Sequence, residues 1–316
     1  MDLCTGTQHH QLKKEAEKPP INKEGGNMSE KTVCERIKQF FEGIHSERIK
    51  EAARKPDNLS SWTRQRDMPL YDILTCTLAK KGLSTVMEVR QYFQAVGKEE
   101  QTISKQGYLQ QRQKLNPEAF KLLNSDYLKS FYEGKEVVLW NGYIVCVADG
   151  SRAEIPNSEE NRKTYGTSTN NYGETVARAN VNILYDVYNR FLINLVIERY
   201  NHSEIEEVKT HIDSLKEITG GRPVLIVLDR YYASLEFLDI LEKAGIKYLV
   251  RVQKGRYNPE IGQMQGADEE VALRYTLDRL LTVRDSEPER FKELKQKKSV
   301  RVRVLKTVSD NGEPVP

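Results

Sequence analysis

Tyr143-Ile144-Val145-Cys146-Val147-Ala148-Asp149-Gly150-Ser151 is an apolar run that closes on a carboxylate, and its reading decides the fold. A second run of the same kind, Pro223-Val224-Leu225-Ile226-Val227-Leu228-Asp229-Arg230, lies downstream. Short, continuous apolar segments rich in Val and Ile read as strands buried on both faces. An aspartate at the tip of each is held at the rim of the sheet. Two such tips side by side make an oxygen-lined site for a hard cation such as Mg²⁺. Sites of that kind activate water and stabilise charge during displacement at phosphorus, so the pair points to phosphodiester chemistry.

Working outward, Val137 to Asp149 reads as one or two strands with a hairpin turn at Asn141-Gly142. Ala177 to Val187 and Phe191 to Arg199 read as two more, joined at Tyr188-Asn189-Arg190. Ser203 to Ile218 is an amphipathic helix with Ser203 and Glu206 in capping-box spacing, ended by Gly220-Gly221. Ser234 to Ala244 is a helix, and Ile246 to Val252 a further strand. On this reading Asp149 ends the first strand and Asp229 the fourth. Glu204, Glu206 and Glu207 open a helix, where acids favour the macrodipole, so they read as structural.

Upstream the period is helical. Val33, Ile37, Phe40, Phe41 and Ile44 share one face, and further helices are expected over Leu70–Lys80, Ser84–Phe93 and Glu118–Tyr132. Between the last two, Ser104 can cap a segment whose surface offers Lys105, Gln106, Arg112 and Lys114, side chains that reach base edges and phosphates. Arg64 and Arg66 follow closely on Trp62 and suit a phosphate. Between Met28 and Lys135 there are 19 Lys/Arg against 14 Asp/Glu, in a chain whose total is only +3. A basic front beside a slightly acidic rear suits a DNA-gripping module joined to a metal-binding one.

The 316 residues, 38% hydrophobic and 30% charged, can bury two cores. There is no apolar stretch of membrane-spanning length and no signal-peptide core. Four scattered cysteines without a CxxC pair read as reduced thiols, and the expected location is the cytoplasm. Residues 1–27 are polar and read as a disordered leader; His9-His10 lies there and is discounted as a metal pair. No Gly-rich nucleotide fingerprint is present. Residues 255–298 are charged and read as loop-rich, Ser299 to Val308 alternates as a half-exposed strand, and Asp310-Asn311-Gly312 signals a turn toward a later partner strand. Without that partner the strand is expected to be an unpaired, aggregation-prone edge.

Asp149-Gly150-Ser151, Ala177-Arg178-Ala179-Asn180 with Leu184-Tyr185-Asp186, and Asp229-Arg230 with Val250-Arg251 resemble DDE transposases of the insertion-sequence-4 type. Trp62 to Pro69 and Ser104 to Leu115 are similar to the helical DNA-binding portion of that family, so the resemblance spans roughly residues 35–316. It implies an α/β fold with a ribonuclease H-like mixed-sheet core. It also implies a metal-dependent enzyme that hydrolyses transposon ends and transfers the freed 3′-OH strand to target DNA. The expected domains are a helical DNA-binding domain (28–135), the first half of the catalytic core (136–254) and a partial β-rich insertion (255–316). Asp149 and Asp229 become metal-binding catalytic residues for two Mg²⁺ or Mn²⁺ ions. Arg230 and Arg251 become phosphate contacts, the partner is double-stranded DNA, and a homodimer on DNA is expected.

Two departures stand out. Tyr231 occupies the family's glycine in Asp-Arg-Gly-Tyr and implies strain if that position needs a positive φ. The family's third acid sits in Tyr-x2-Arg-x3-Glu-x6-Lys, which no tyrosine of this chain begins; after Tyr248-x2-Arg251 the acid position is Gly255. The expectation is a C-terminally truncated transposase, inactive by itself. The alternatives are a transposon-end binding or inhibitory protein, and an unrelated ribonuclease H-like nuclease with its third acid elsewhere.

Overall fold

The computed structural model describes residues 21–22, 30–64 and 68–307. Among these, one compact unit comprises 30–136 and 213–221, and a second comprises 21–22, 137–212 and 222–307. The expected leader lies outside the described residues except for Ile21-Asn22. Arg66 and the expected turn at Asp310-Asn311-Gly312 also lie outside them.

In the first unit the helices are α1 (Glu30–Ile44), α2 (Glu47–Ala52), α3 (Leu70–Leu78), α4 (Thr85–Ala95), α5 (Lys105–Gln113) and α6 (Glu118–Glu133). Ser46 and Ser104 accept the backbone N–H of Ile49 and Gly107, closing the first turns of α2 and α5. Ile44, Ile49, Ile73, Leu74, Tyr108 and Ala119 form the buried centre. The expected single face of α1 is narrower than its spacing implied: Ile44 is buried, but Ile37 and Phe41 are exposed. Phe41 sits about 100° around the helix from Phe40, while Ile37 lies only about 20° around from Ile44 but about two turns nearer the N-terminus. Asp72 is buried with its charge answered: Tyr92 donates to one oxygen and Lys98 to the other, both at 2.7 Å.

In the second unit β1 (Ile21–Asn22) pairs antiparallel with β2 (Leu139–Trp140), and Asn141-Gly142, both at positive φ, turn the chain into β3 (Ile144–Glu154). There follow α7 (Glu159–Tyr165), β4 (Thr167–Thr169), β5 (Thr175–Asp186), β6 (Phe191–Arg199), α8 (Glu204–Ile218), β7 (Val224–Leu228), α9 (Leu235–Lys243) and β8 (Lys247–Val250). The main sheet runs β6-β5-β3-β7-β8, and β4 pairs with the start of β5. β3 lies antiparallel to β5 and parallel to β7, and β7 parallel to β8, which makes the sheet mixed. Ile144, Cys146, Ile226 and Leu228 are buried within it.

One expectation about the deciding strand is corrected. β3 does not end at Asp149; it continues to Glu154, held by antiparallel pairing with β5 as far as Glu154↔Arg178. What ends near Asp149 is the parallel pairing with β7, whose last pair is Val147↔Val227. The apolar run marks the doubly paired part of the strand, and the polar continuation has β5 alone.

Asp186 at the end of β5 is buried and accepts the backbone N–H groups of Tyr188 and Asn189, fixing the β5–β6 turn in which Arg190 takes φ 61°. Asn180 and Asn182 on β5 bind α8: the Asn180 amide donates to both oxygens of Glu207 at 3.0 Å, and Asn182 Oδ1 accepts from His211 at 3.0 Å. Glu207 is fully buried, with the partly exposed His202 ring at 3.2 Å as its other neighbour.

The segment expected to be loop-rich is instead ordered: α10 (Asn258–Ile261), β9 (Asp268–Arg274), α11 (Leu281–Ser286), α12 (Pro288–Lys297) and β10 (Ser299–Leu305). The partner of the last strand precedes it. β9 and β10 pair antiparallel from Asp268↔Leu305 to Arg274↔Ser299, so the expected unpaired edge is wrong on this side. The charges of Asp268-Glu269-Glu270 mask an alternation in which Val271 and Leu273 are buried. Those two pack in a cluster with Leu235, Leu238, Leu294 and Val300, among others. Asp239 of α9 is buried and held by Arg290 and Lys297 of α12.

Replacing Asn180 by Leu leaves the Glu207 carboxylate with one neighbour in a dry site. The expected cost is about 2–4 kcal/mol of stability, measured by urea unfolding. A loss below about 0.5 kcal/mol would mean that this pair does not secure α8.

Candidate active site

The pairing register brings the two aspartates together. β3 and β7 are parallel with Val147↔Val227 as their last pair, so Asp149 and Asp229 each follow that pair by two residues at the carboxyl ends of neighbouring strands. β7 and β8 are parallel with Leu228 opposite Val250, so Arg251 follows as the neighbour of Asp229. The three form one row across the carboxyl ends of three strands, where open α/β sheets place their ligands. All three are exposed.

Each carboxylate is aimed by its own backbone. Asp149 Oδ1 accepts the N–H of Gly150 at 3.0 Å, and Asp229 Oδ1 accepts that of Tyr231 at 2.7 Å. The Asp229 bond caps a single turn, Arg230–Tyr232, in ordinary right-handed geometry. Tyr231 is therefore unstrained: the glycine expected there is not needed, because the turn keeps φ negative.

Below the row lies a polar chain. Tyr232 is 1% exposed; its hydroxyl donates to Glu204 at 3.4 Å and accepts from Asn182 at 3.3 Å, and Asn182 in turn meets His211. Burial pushes the Tyr232 phenol well above the ordinary tyrosine range. The Asn182 hydrogen bond opposes this, and the negative charges of Glu204 and Asp149 add to it. Tyr232 therefore stays protonated and donates. Burial pushes His211 down to about 4, so its ring is neutral at pH 7 and donates from Nε2 to Asn182.

Glu204 is the residue that the sequence reading undervalued. Its carboxyl group lies so close to Gly150 that a methyl group there would stand 2.9 Å from Cδ. A glycine inside a strand, directly after an aspartate, was the available signal of close approach. Tyr232 carried no signal of its own. Asp149 and Asp229 are hard oxygen donors of the type that Mg²⁺ and Mn²⁺ take. Among the described residues, however, no three His, Cys, Asp or Glu side chains converge as a metal-binding group.

The residues expected to meet DNA separate in the structure. Lys105 and Gln106 are exposed on the first turn of α5. Arg112 is half-buried, its guanidinium 5.9 Å from the centre of the buried Tyr108 ring. Lys114, just past α5, and Arg64 line one cavity in the helical unit. Arg230 is exposed beside Asp229. No described helix is long and apolar enough to cross a membrane.

Comparison with known proteins places residues 140–308 in a match to the family described as the transposase DDE domain. No curated protein sequence matches the chain. Among solved structures the chain is similar to a piggyBac transposase synaptic complex with hairpin DNA, at 11% identity and a TM-score of 0.40 over 88% of this chain and 63% of that one. It is also similar to a Mos1 mariner paired-end complex with Mn (12%, TM-score 0.26, covering 71% and 68%). A third is the Drosophila P element transposase strand transfer complex (11%, TM-score 0.28, covering 71% and 49%). The chain thus spans somewhat less than two thirds of the piggyBac protein.

The neutral buried His211 makes stability depend on pH. The unfolded imidazole takes its proton near 6.5 and the folded one near 4, so between those values the unfolded chain binds more protons and acid favours it. Stability is expected to be full above about pH 6.5 and to fall by roughly 1–3 kcal/mol as pH drops to 4. Thermal unfolding should show a shallower decline in His211→Gln, and identical slopes in both proteins would rule the assignment out.

Proposed function

The chain belongs to the transposase DDE domain family, and we propose that Asp149 and Asp229 are two of the carboxylates with which it holds divalent cations for cutting and joining DNA. The observation that carries this reading is the register setting Asp149, Asp229 and Arg251 in one row. Two exposed carboxylates on adjacent strands offer the hard oxygens that Mg²⁺ or Mn²⁺ needs. A bound divalent cation would supply charge neutralisation at the scissile phosphate and a more acidic attacking hydroxyl or water. The protein's own part is to hold the two carboxylates at fixed spacing and to grip the phosphates through Arg230 and Arg251. Tyr232 keeps Glu204 beside Asp149, where its charge adds to the field that attracts cations.

In the same proposal the core is ribonuclease H-like, in keeping with its β6-β5-β3-β7-β8 order, and the subgroup is the insertion-sequence-4 type, which Asp149-Gly150-Ser151 and Asp229-Arg230 with Val250-Arg251 resemble. The helical unit would bind duplex DNA at transposon ends through Lys105 and Gln106, with Arg64, Arg66, Arg112 and Lys114 adding positive charge. Residues 255–316 would belong to a β-rich insertion, and a homodimer would form on DNA.

One observation favours a second reading, in which the chain binds transposon ends without cutting: no group of three His, Cys, Asp or Glu side chains that could hold a metal ion is found among the described residues. A binder of that kind would inhibit a complete enzyme by occupying its sites.

Calorimetric titration with Mn²⁺ tests the site apart from catalysis. Asp149→Asn and Asp229→Asn should each weaken binding about ten-fold or more, and unchanged affinity in both would sink the metal-site proposal. Labelled duplexes from both ends of the encoding element then separate the two readings. Mg²⁺-dependent nicking that disappears in Asp149→Asn favours the enzyme, and retention without nicking favours the binder.

A further inference from the structure

A cavity of about 550 Å³ opens in the helical unit between the loop after α2 and the end of α5. Lys50, Ser61, Trp62, Arg64, Tyr71 and Lys114 are among the residues that line it, and among the described residues no Asp or Glu does. Lys50 shares its charge with Glu47 at 3.1 Å on the same helix, while Arg64 and Lys114 make no ion pair among the described residues. The walls are therefore cationic and aromatic together. Tyr71 is stacked on His45 with ring centres 4.1 Å apart.

The wall is also built at some cost. Trp62 has φ 66°, a region that bulky side chains rarely adopt. It is pinned there: its indole N–H donates to Ala53 O at 3.2 Å, Arg54 Nε donates to Ser61 O at 3.2 Å, and Thr63 donates to Ser60 O at 2.8 Å. The Ser61 hydroxyl is buried with no hydrogen-bond partner among the described residues, which leaves a polar group to be satisfied at the cavity wall. Over-determined strain and an unsatisfied buried hydroxyl are expected where a ligand is bound.

We infer that this cavity binds a single unpaired nucleotide, its phosphate paired with Lys50, Arg64 and Lys114 and its base against the aromatic wall. A phosphate alone would use a small part of the volume, which lies in the range of small-molecule sites. A duplex presents its bases stacked and cannot enter a concavity without extruding one. Stacking on Trp62 or Tyr71 asks only for a planar base and tolerates any sequence. The inference rests on the reading of the chain as a DNA-acting protein for the source of the nucleotide, a unit of a strand; a free nucleotide carries the same chemistry.

The chain has two tryptophans, so Trp140→Phe leaves Trp62 as the sole indole reporter in the full-length protein. Titration of that protein with a short oligothymidylate should quench its fluorescence saturably. Lys50→Gln/Lys114→Gln should weaken the response roughly ten-fold, and the exposed Arg64→Gln should weaken it without lowering the melting temperature. Quenching by thymidine monophosphate but not by the oligonucleotide supports the cavity with a free nucleotide as its source. Duplex binding, followed by anisotropy, that neither quenches Trp62 nor is competed by the single strand overturns the inference and leaves the DNA-binding reading standing. No quenching by either thymidylate probe overturns it as well, and absence of any anisotropy change then removes the DNA-binding reading separately.

Discussion

The structure depends on the double pairing of β3. On one side it is locked antiparallel to β5 over most of its length, and on the other it runs parallel to β7 for four residue pairs. A register slip of one residue against β7 would turn Asp149 away from Asp229 and drive alternate side chains of an apolar strand into the wrong layer. The burial of Ile144, Cys146, Ile226 and Leu228 is thus what sets the spacing of the two carboxylates. The chemistry at the rim is held by the apolar interior beneath it.

Polar groups do a second job inside the same unit. Asn180 and Asn182 stand two residues apart on β5 and so share a face; one grips Glu207 and the other His211, a turn apart on α8. Buried amides and a buried carboxylate are expensive unless each finds its partner. The pairs therefore specify a single seating of α8 more strictly than apolar contacts would, and that seating delivers Glu204 to Gly150. Asp239 acts in a comparable way for α12, through Arg290 and Lys297.

Much of the core was legible. The apolar runs before Asp149 and Asp229, the Asn141-Gly142 turn and the helices α5 and α9 each carry a local signal strong enough to read. The failures also have physical causes. Asp268 and Glu270 put charge on the open face of β9, and Glu269 puts it on the inward side ahead of Val271 and Leu273, so a real hairpin read as loop. The concern over Tyr231 assumed a left-handed turn, whereas the carboxylate of Asp229 caps a right-handed one. Glu204 was assigned to the helix macrodipole because nothing local says which strand the helix start will meet.

What the sequence alone determined were the elements and their chemistry: two carboxylates after apolar strands, a cationic helical front, and a pattern similar to DDE transposases. These depend on short-range periodicity and on the properties of side chains, which travel with the residues themselves. Only the tertiary structure decided which strands are neighbours, that Arg251 joins the aspartates in one row, that Tyr232 and Glu204 stand behind them, and that Trp62, Arg64 and Lys114 share a cavity. Those are pairings between residues distant along the chain. They are selected by the burial of whole faces and the satisfaction of buried polar groups, sums over many contacts that no local pattern contains.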